Sequence, residues 1–259
     1  MLPHASRHSN RNTVLLWSGP SELDPSVEVG LFASGLRRGS ANTKTKSMVQ
    51  TFVLRLDMPP HEAQAQALDR ATCGTCIFAG NKGCYVQVGR APVWRSWSRG
   101  RIARADIGAV VAACWGRGGM PVRWGSYGDP AAIPQAVLEP MMRAVRDAGL
   151  AWTGYTAQWR DQRFAWLRPW THASVHSRRE YVAAVAAGWR VFASVTRDTD
   201  LGVLRSQGLL PCPSTLGASC ATCALCCGTS SRTQTWSGAA IHLHGPTAKR
   251  AALAILEAR

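Results

Sequence analysis

Seven cysteines fall into two groups whose spacing suits metal ligation. Cys73, Cys76 and Cys84 have the form C-x2-C-x7-C, and Cys212, Cys220, Cys223 and Cys226 have the form C-x7-C-x2-C-x2-C. Soft thiolates bind both zinc and iron–sulfur clusters, and spacing alone does not separate the two. Three thiolates hold a [4Fe–4S] cluster with one iron left open to substrate or cofactor; four complete a closed cluster or a tetrahedral zinc site. The C-x2-C-x2-C core is nearer to ferredoxin-like ligation than to a zinc finger, which favours iron–sulfur over zinc downstream. Cys227, adjacent to Cys226, reads as a spare, and Cys114, in an apolar stretch, as a buried inert thiol.

The compartment decides how such cysteines are read. No apolar run reaches the roughly 18 residues of a membrane span, and residues 1–12 lack the apolar centre of a secretory signal, so a cytoplasmic setting without membrane is expected. Reducing surroundings disfavour disulfides and make tight C-x2-C spacing a metal signal. The net charge of +15 points to nucleic acid or another polyanion as partner. The plainer reading is compositional: only Lys44, Lys46, Lys82 and Lys249 among the 30 basic residues are lysines, and an Ala- and Gly-rich chain full of arginine also reflects a GC-rich genome.

These groups need a scaffold. Residues 1–12 read as a flexible arm, and residues 13–259 as one α/β domain large enough for its own core. Thr13–Gly19 and Val27–Leu36 are β-prone runs separated by turn residues, an N-terminal β-hairpin. Met48–Leu56 alternates as a strand, Pro59 and Pro60 open a helix from His61 to about Arg70, and Cys84 to Val88 is a short strand leaving the first cysteine loop. Strands at Val122–Ser126, Ala151–Thr156, His172–His176, Arg190–Val195 and Ala239–His244 then alternate with helices at Ile107–Trp115, Pro134–Ala148, Arg178–Ala187 and Thr247–Ala258. The pattern predicts a complete or partial (β/α) barrel-like fold with a C-terminal cysteine-rich loop, a doubly wound open sheet being the main competitor. No dinucleotide fingerprint or P-loop accompanies that competitor.

In a barrel, side chains after the strands converge on one face. Asp129, in the GSYGDP turn, is there to orient substrate or cofactor, or is an ordinary Asp-Pro turn former. Tyr155 and Gln158 present hydrogen-bonding groups to a ligand or belong to an interior polar network. His176, His242 and His244 are acid–base groups, fourth ligands or structural histidines; His242 and His244 share a strand face. Arg95, Trp97, Arg99, Arg101 and Arg104 (with Trp94) interleave cations with aromatics, as phosphate contact and base stacking require, or cover apolar surface with arginine stems.

The segments WSGPSELD, N-T-K-T with MVQTF, CGTC…CYVQVG, GSYGDP, TGYTAQW, ASVHS and CPS…C…C…C together resemble an uncharacterised family of phage- and prophage-encoded cysteine-rich proteins, across most of the chain. A weaker resemblance is to radical S-adenosylmethionine enzymes, although the usual C-x3-C-x2-C loop of those enzymes is replaced here by C-x2-C-x7-C. The first resemblance implies a phage-encoded protein in the host cytoplasm. The second implies a reactive cluster on Cys73, Cys76 and Cys84, S-adenosylmethionine near Gly125, Ser126 and Gly128, and an auxiliary cluster downstream.

The expectation is an iron–sulfur protein of phage type, a divergent radical enzyme acting on nucleic acid or nucleotides, with Asp129 and Tyr155 at the reacting centre. The alternative is a non-enzymatic, zinc-stabilised nucleic-acid-binding protein. No order of Ser, His and Asp and no close carboxylate pair points to a hydrolase.

Overall fold

The computed structural model describes residues 12–40, 42, 44–84, 86, 92–223, 225–226 and 236–258. All but the last residue of the expected 1–12 arm lies outside the described residues, as do Cys227 and most of the strand expected from Cys84 to Val88. Asn12 is docked: its Oδ1 accepts from the backbone N–H groups of Arg37 and Arg38, each at 2.9 Å.

The chain begins with β1 (Thr13–Pro20), β2 (Glu28–Ser34) and β3 (Val49–Arg55), paired antiparallel in that order. Pro59 and Pro60 then start α1 (Pro60–Ala65) as expected. The single helix expected through Arg70 is broken, because Ala67 takes φ +55° and Leu68 N–H turns back to the Ala63 carbonyl at 2.8 Å. Its second part is the one-turn α2 (Arg70–Cys73), which ends on the first thiol.

Next come α3 (Pro92–Ser98), the two-residue β4 (Ala103–Arg104), α4 (Ile107–Trp115), β5 (Val122–Tyr127), α5 (Gln135–Asp147) and β6 (Trp152–Thr156). They are followed by β7 (His172–Val175), α6 (Arg178–Ala186), β8 (Val191–Val195), α7 (Leu201–Ser206), β9 (Leu209–Pro211), α8 (Cys220–Cys223), β10 (Gly238–His242) and α9 (Ala248–Glu257). The local chemistry agrees: Asp106 caps α4 and Ser177 caps α6 through their side chains, and Gly149 at φ +72° and Gly188 at φ +78° follow the ends of α5 and α6.

All ten strands form one sheet, in the order β4-β1-β2-β3-β5-β6-β7-β8-β10-β9. From β3 onward every pairing is parallel. New strands add on the same side from β5 to β8, β10 then inserts between β8 and β9, and β4 returns to the far edge beside β1. The sheet does not close. Its edges are β4 and β9, both short, and β9 ends at Pro211, which has no N–H to offer a further strand. A complete barrel is therefore corrected to an open, mostly parallel sheet.

One face of the sheet carries the main core. Val49, Val122, Trp124, Ala173, Val191 and Ala240 on the strands pack with Val110 of α4, Met142 of α5 and Ala184 of α6. The opposite face carries two smaller clusters. Leu15, Phe32, Leu54 and Tyr127 pack against Val93 of α3, while Phe78 of the first cysteine loop packs against Leu243 and α9. Both thiol groups gather on this second side, where Thr153 and Tyr155 of β6 alternate with the core-facing Trp152.

Candidate metal centres

The upstream turn is built by its glycines and by a clamp from β6. Cys73 ends α2, Cys76 N–H closes on the Cys73 carbonyl at 3.1 Å, and Ala79 N–H closes on the Cys76 carbonyl at 3.0 Å. Gly74 between them has φ +55°, and a Cβ there would stand 2.5 Å from Gln158 Oε1. Gln158 fills that space. Its Nε2 donates to the Cys73 carbonyl and to Asp129 Oδ2, both at 3.2 Å, while its Oε1 accepts from Thr75 N–H at 3.2 Å and Thr75 Oγ1 at 3.0 Å. Farther along, Gly80 N–H donates to both carboxylate oxygens of the buried Asp69 at 3.0 and 3.1 Å, folding the loop back toward Cys84.

Asp129 holds the clamp in turn. Its Oδ1 accepts from Ala131 N–H at 2.9 Å, and its Oδ2 accepts from Thr156 Oγ1 at 3.1 Å, Ala157 N–H at 2.8 Å and Gln158 Nε2. Asp129 N–H donates to the Thr72 carbonyl at 2.6 Å. Four donors of the protein converge on this buried carboxylate, three of them on Oδ2, so Asp129 serves as a positioning residue. Burial raises its pKa, and the four donors pull it back down.

The three upstream thiols are close enough to act on one another. Burial is the largest cause raising the pKa of Cys73, followed by Cys76 and Asp69, with Cys84 also contributing. Cys76 is pushed up to about 12, again by burial first and with Cys84 adding. Cys84 is raised by burial and by Asp69, while Gln64 beside it pulls the other way. Tyr127 faces the same group: burial, Cys73, Asp69 and Cys84 all raise its phenol. Among the described residues its hydroxyl has no hydrogen bond of good geometry, although the Thr72 hydroxyl, bonded to the Asp69 carbonyl at 3.0 Å, lies near enough to lower its pKa. Tyr127 also borders a cavity of about 210 Å³ shared with Trp94, Phe52 and Arg38. Composition and spacing do not single out Asp69, whose only signal is its place at the start of the helix that ends on Cys73, whereas Tyr127 falls at a strand end, where the barrel reading gathers side chains.

Downstream, Cys212 N–H pairs with the Ala240 carbonyl at 2.7 Å, so the first ligand extends β9 along β10. Gly217 at φ +88° turns the chain, and Cys220 N–H is held by the Lys44 carbonyl at 2.7 Å. Cys220 and Cys223, three apart on the single turn of α8, share one side of it. Cys226 is the focus of the four. Its thiol is pushed up to about 12, by burial first and then by Cys212, with Cys220 and Cys223 adding and the Tyr155 hydroxyl lowering it. Burial raises Cys220 too, against the pull of Arg123 and Lys44.

Three soft donors in one group and four in the other suit metal-bound thiolates in kind and number. Their arrangement is loose: among the described residues, no three Cys, His, Asp or Glu side chains are gathered as the ligands of one metal ion. A tetrahedral zinc would bring its sulfurs to about 3.8 Å of each other, given a Zn–S bond near 2.3 Å.

The remaining expected residues separate by role. Tyr155 meets the Cys226 thiol and stacks with Phe192 at 4.6 Å, which places it at the downstream group. The GSYGDP glycines do not face open space. A Cβ on Gly125 would stand 2.7 Å from the Gly128 carbonyl, one on Gly128 would stand 2.6 Å from the Val53 carbonyl, and the Ser126 hydroxyl donates to Gln50 Oε1 at 2.7 Å. Gly125, Ser126 and Gly128 thus pack the turn against β3. His176 lies edge-on to Phe78 of the upstream loop at 4.8 Å. His242 Nε2 donates to the Thr199 carbonyl and His244 Nδ1 to the His242 carbonyl, both at 2.9 Å, and His244 Nε2 meets Lys44 Nζ.

In the basic segment, Trp97 is partly buried and packs edge-on against Phe32 at 5.8 Å, beside the smaller core cluster. Arg95, Arg99, Arg101 and Arg104 are exposed beyond it, and Arg104 Nη2 donates to Ser18 Oγ at 2.7 Å. Cys114 is buried with no exposed surface, as expected. No helix of the described residues is long and apolar enough to cross a membrane. No family model, curated protein or solved structure matches the chain.

Proposed function

We propose that the chain is an iron–sulfur protein with two centres, Cys73, Cys76 and Cys84 holding a [4Fe–4S] cluster with one open iron, and Cys212, Cys220, Cys223 and Cys226 holding a second, closed one. The observation that carries this reading is the grouping itself. Two sets of thiols far apart in sequence each come together half-buried, and within each set the sulfurs raise one another's pKa. Buried neutral thiols give up their protons when a metal replaces them. Cubane clusters bind one thiolate per iron and leave the sulfurs farther apart than one zinc ion does, which agrees with the loose grouping.

A cluster of this kind supplies one-electron reduction, and at an open iron it also takes a donor atom from substrate or cofactor. The protein's part is positional. Gln158 and Asp129 fix the backbone that carries Cys73 and Cys76, and Tyr127 brings an unpartnered hydroxyl between those thiols and the cavity beside Trp94. That cavity is our candidate for the substrate or S-adenosylmethionine of a radical-type enzyme of phage origin, with the parallel run from β5 to β8 as the wall of a partial barrel. Nucleotides or nucleic acid are the substrate class in keeping with the charge of +15.

Anaerobic purification tests the reading. The expected result is brown protein with sulfur-to-iron charge-transfer absorption and S-adenosylmethionine cleavage after reduction. Colourless protein with stoichiometric zinc would place the chain with zinc-stabilised, non-enzymatic nucleic-acid binders.

A further inference from the structure

The cavity of about 210 Å³ beside Tyr127 has no thiol in its lining, and its floor and its mouth differ in chemistry. Gln50, Phe52 and Leu54 alternate along β3 and reach it from one face of that strand. Trp94 of α3 lines it too. Phe52 and Trp94 are only partly buried, whereas Leu15 and Phe32 of the same cluster are fully covered. Trp94 Nε1 is turned into the protein, so the cavity meets ring carbon. Gln50 supplies a polar group to this floor and is 8% exposed. Its Oε1 accepts from Ser126 Oγ at 2.7 Å, while its Nε2 has no acceptor among the described residues and is not enclosed by the protein, which leaves that donor open to the cavity.

The mouth is a fixed cationic loop. Asn12 Oδ1 holds the N–H groups of Arg37 and Arg38, Ser40 N–H donates to the Lys46 carbonyl at 2.6 Å, and a Cβ on Gly39 would stand 2.2 Å from that carbonyl. Arg38 is exposed there, and its guanidinium makes no salt bridge or hydrogen bond among the described residues. Ser40 Oγ accepts from Asn42 N–H at 3.0 Å and keeps its own proton for another acceptor. No Asp or Glu lines the cavity. An exposed arginine is ordinary by itself; here it stands over an aromatic floor that offers one free amide donor.

We infer that this cavity receives the base of a nucleotide, with the ring against Phe52 and Trp94, its polar edge on the Gln50 amide and its phosphate on Arg38 and Ser40. Aromatic side chains take the face of any base, an amide nitrogen donates to a ring carbonyl or ring nitrogen, and a guanidinium beside a hydroxyl suits phosphate oxygens. Sites that enclose a whole drug-sized ligand start at about 300 Å³, so this one takes a single ring system and leaves sugar and phosphate at the mouth. The assignment chooses substrate over S-adenosylmethionine for the cavity, and rests on the proposed function for the reaction but not for binding.

The test titrates the full chain, purified anaerobically, by calorimetry with uridine and adenosine 5′-monophosphates, the two nucleosides, and ribose 5-phosphate. At least one monophosphate is expected to bind about tenfold more tightly than its nucleoside and than ribose 5-phosphate, since base and phosphate are both held. Arg38→Ala, a change on an exposed side chain, should remove the margin over the nucleoside. Gln50→Met, which keeps the length of the side chain, should weaken nucleoside and monophosphate alike by several-fold. Ribose 5-phosphate binding as tightly as the monophosphates, a margin that survives Arg38→Ala, unaltered binding by Gln50→Met, displacement of the nucleotide by S-adenosylmethionine, or no binding at all would overturn the assignment. Iron content separates it from the proposed function. Nucleotide binding by protein that never takes up iron leaves this pocket standing and removes the iron centres, whereas iron-loaded protein that binds no nucleotide does the reverse.

Discussion

Gln158 reaches across from the end of β6 and holds Cys73 by its backbone, Nε2 donating to the Cys73 carbonyl at 3.2 Å. The same side chain accepts from Thr75 through Oε1, so one amide fixes both peptide groups flanking Gly74. The spacing of Cys73 and Cys76 is therefore set by a residue more than eighty positions away.

Replacing Gln158 with Leu leaves the Cys73 carbonyl and the Thr75 N–H without partners in a partly buried turn. We expect a loss of about 1–3 kcal/mol in urea unfolding, in line with unmade buried hydrogen bonds. Gly74→Ala should destabilise by a similar amount, because its Cβ would displace the same amide and φ +55° strains an L residue. As both changes break one clamp, the double variant should lose clearly less than the sum of the two. Full additivity would mean that the clamp is not a unit.

Asp129→Ala removes the acceptor shared by Ala131, Thr156, Ala157 and Gln158 and should destabilise more than Gln158→Leu, by about 2–4 kcal/mol. As a positioning residue, its Asn variant should retain part of the stability and take up the same metal with lower occupancy. Unchanged metal occupancy in a folded Asp129→Ala variant would show that the turn holds the thiols without it.

Much of this arrangement was legible in the sequence, for identifiable reasons. The β5 run lies between Pro121 and Gly128, β10 opens at Gly238 and is followed by Gly245, and β6 and β8 follow the helix-ending Gly149 and Gly188, so punctuation marks each strand. Both thiol groups follow from spacing. The broken helix at Ala67 did not, because alanine is a helix former and a positive φ there leaves no mark in composition or spacing. The edge strand β4, two residues long, carries too short a pattern to be seen. The role of Gln158 depends on strand register and on the open side of Gly74, neither of which spacing records. Gly125 and Gly128 carry a packing role that spacing does not record either, the space beside each being filled by the protein's own backbone.

His172 gives a pH dependence. It is 1% exposed at the start of β7, and burial, then Arg190, lowers its pKa from 6.5 to about 3. The folded state binds its proton less readily than the unfolded chain. The resulting stability is fully present above pH 6.5 and is lost as pH falls through the window down to about 3. Between neutrality and about pH 5 the loss from this residue should approach about 2 kcal/mol. His172→Phe should flatten that acid limb in urea midpoints taken at the two pH values; a parallel limb would show that other groups carry it.

The basic segment divides by role as well. Trp97→Ala should lower stability by about 2–4 kcal/mol through lost packing on Phe32, and leave DNA binding of the folded variant unchanged. If the chain binds polyanions as proposed, Arg99→Ala with Arg101→Ala should weaken binding across all sequences and reduce its salt dependence. Loss of DNA binding on Trp97→Ala alone, with stability intact, would restore that ring as a base-stacking contact.

The central claim, two separate iron–sulfur centres, is tested most directly by iron per chain in anaerobically reconstituted protein and in two paired variants. Cys73→Ser with Cys76→Ser should remove one cluster's iron and its charge-transfer absorption while leaving the other's. Cys220→Ser with Cys226→Ser should do the reverse, each variant retaining about half of the unaltered protein's iron. Absence of iron in the unaltered chain, or complete loss from either pair alone in folded protein, would contradict it.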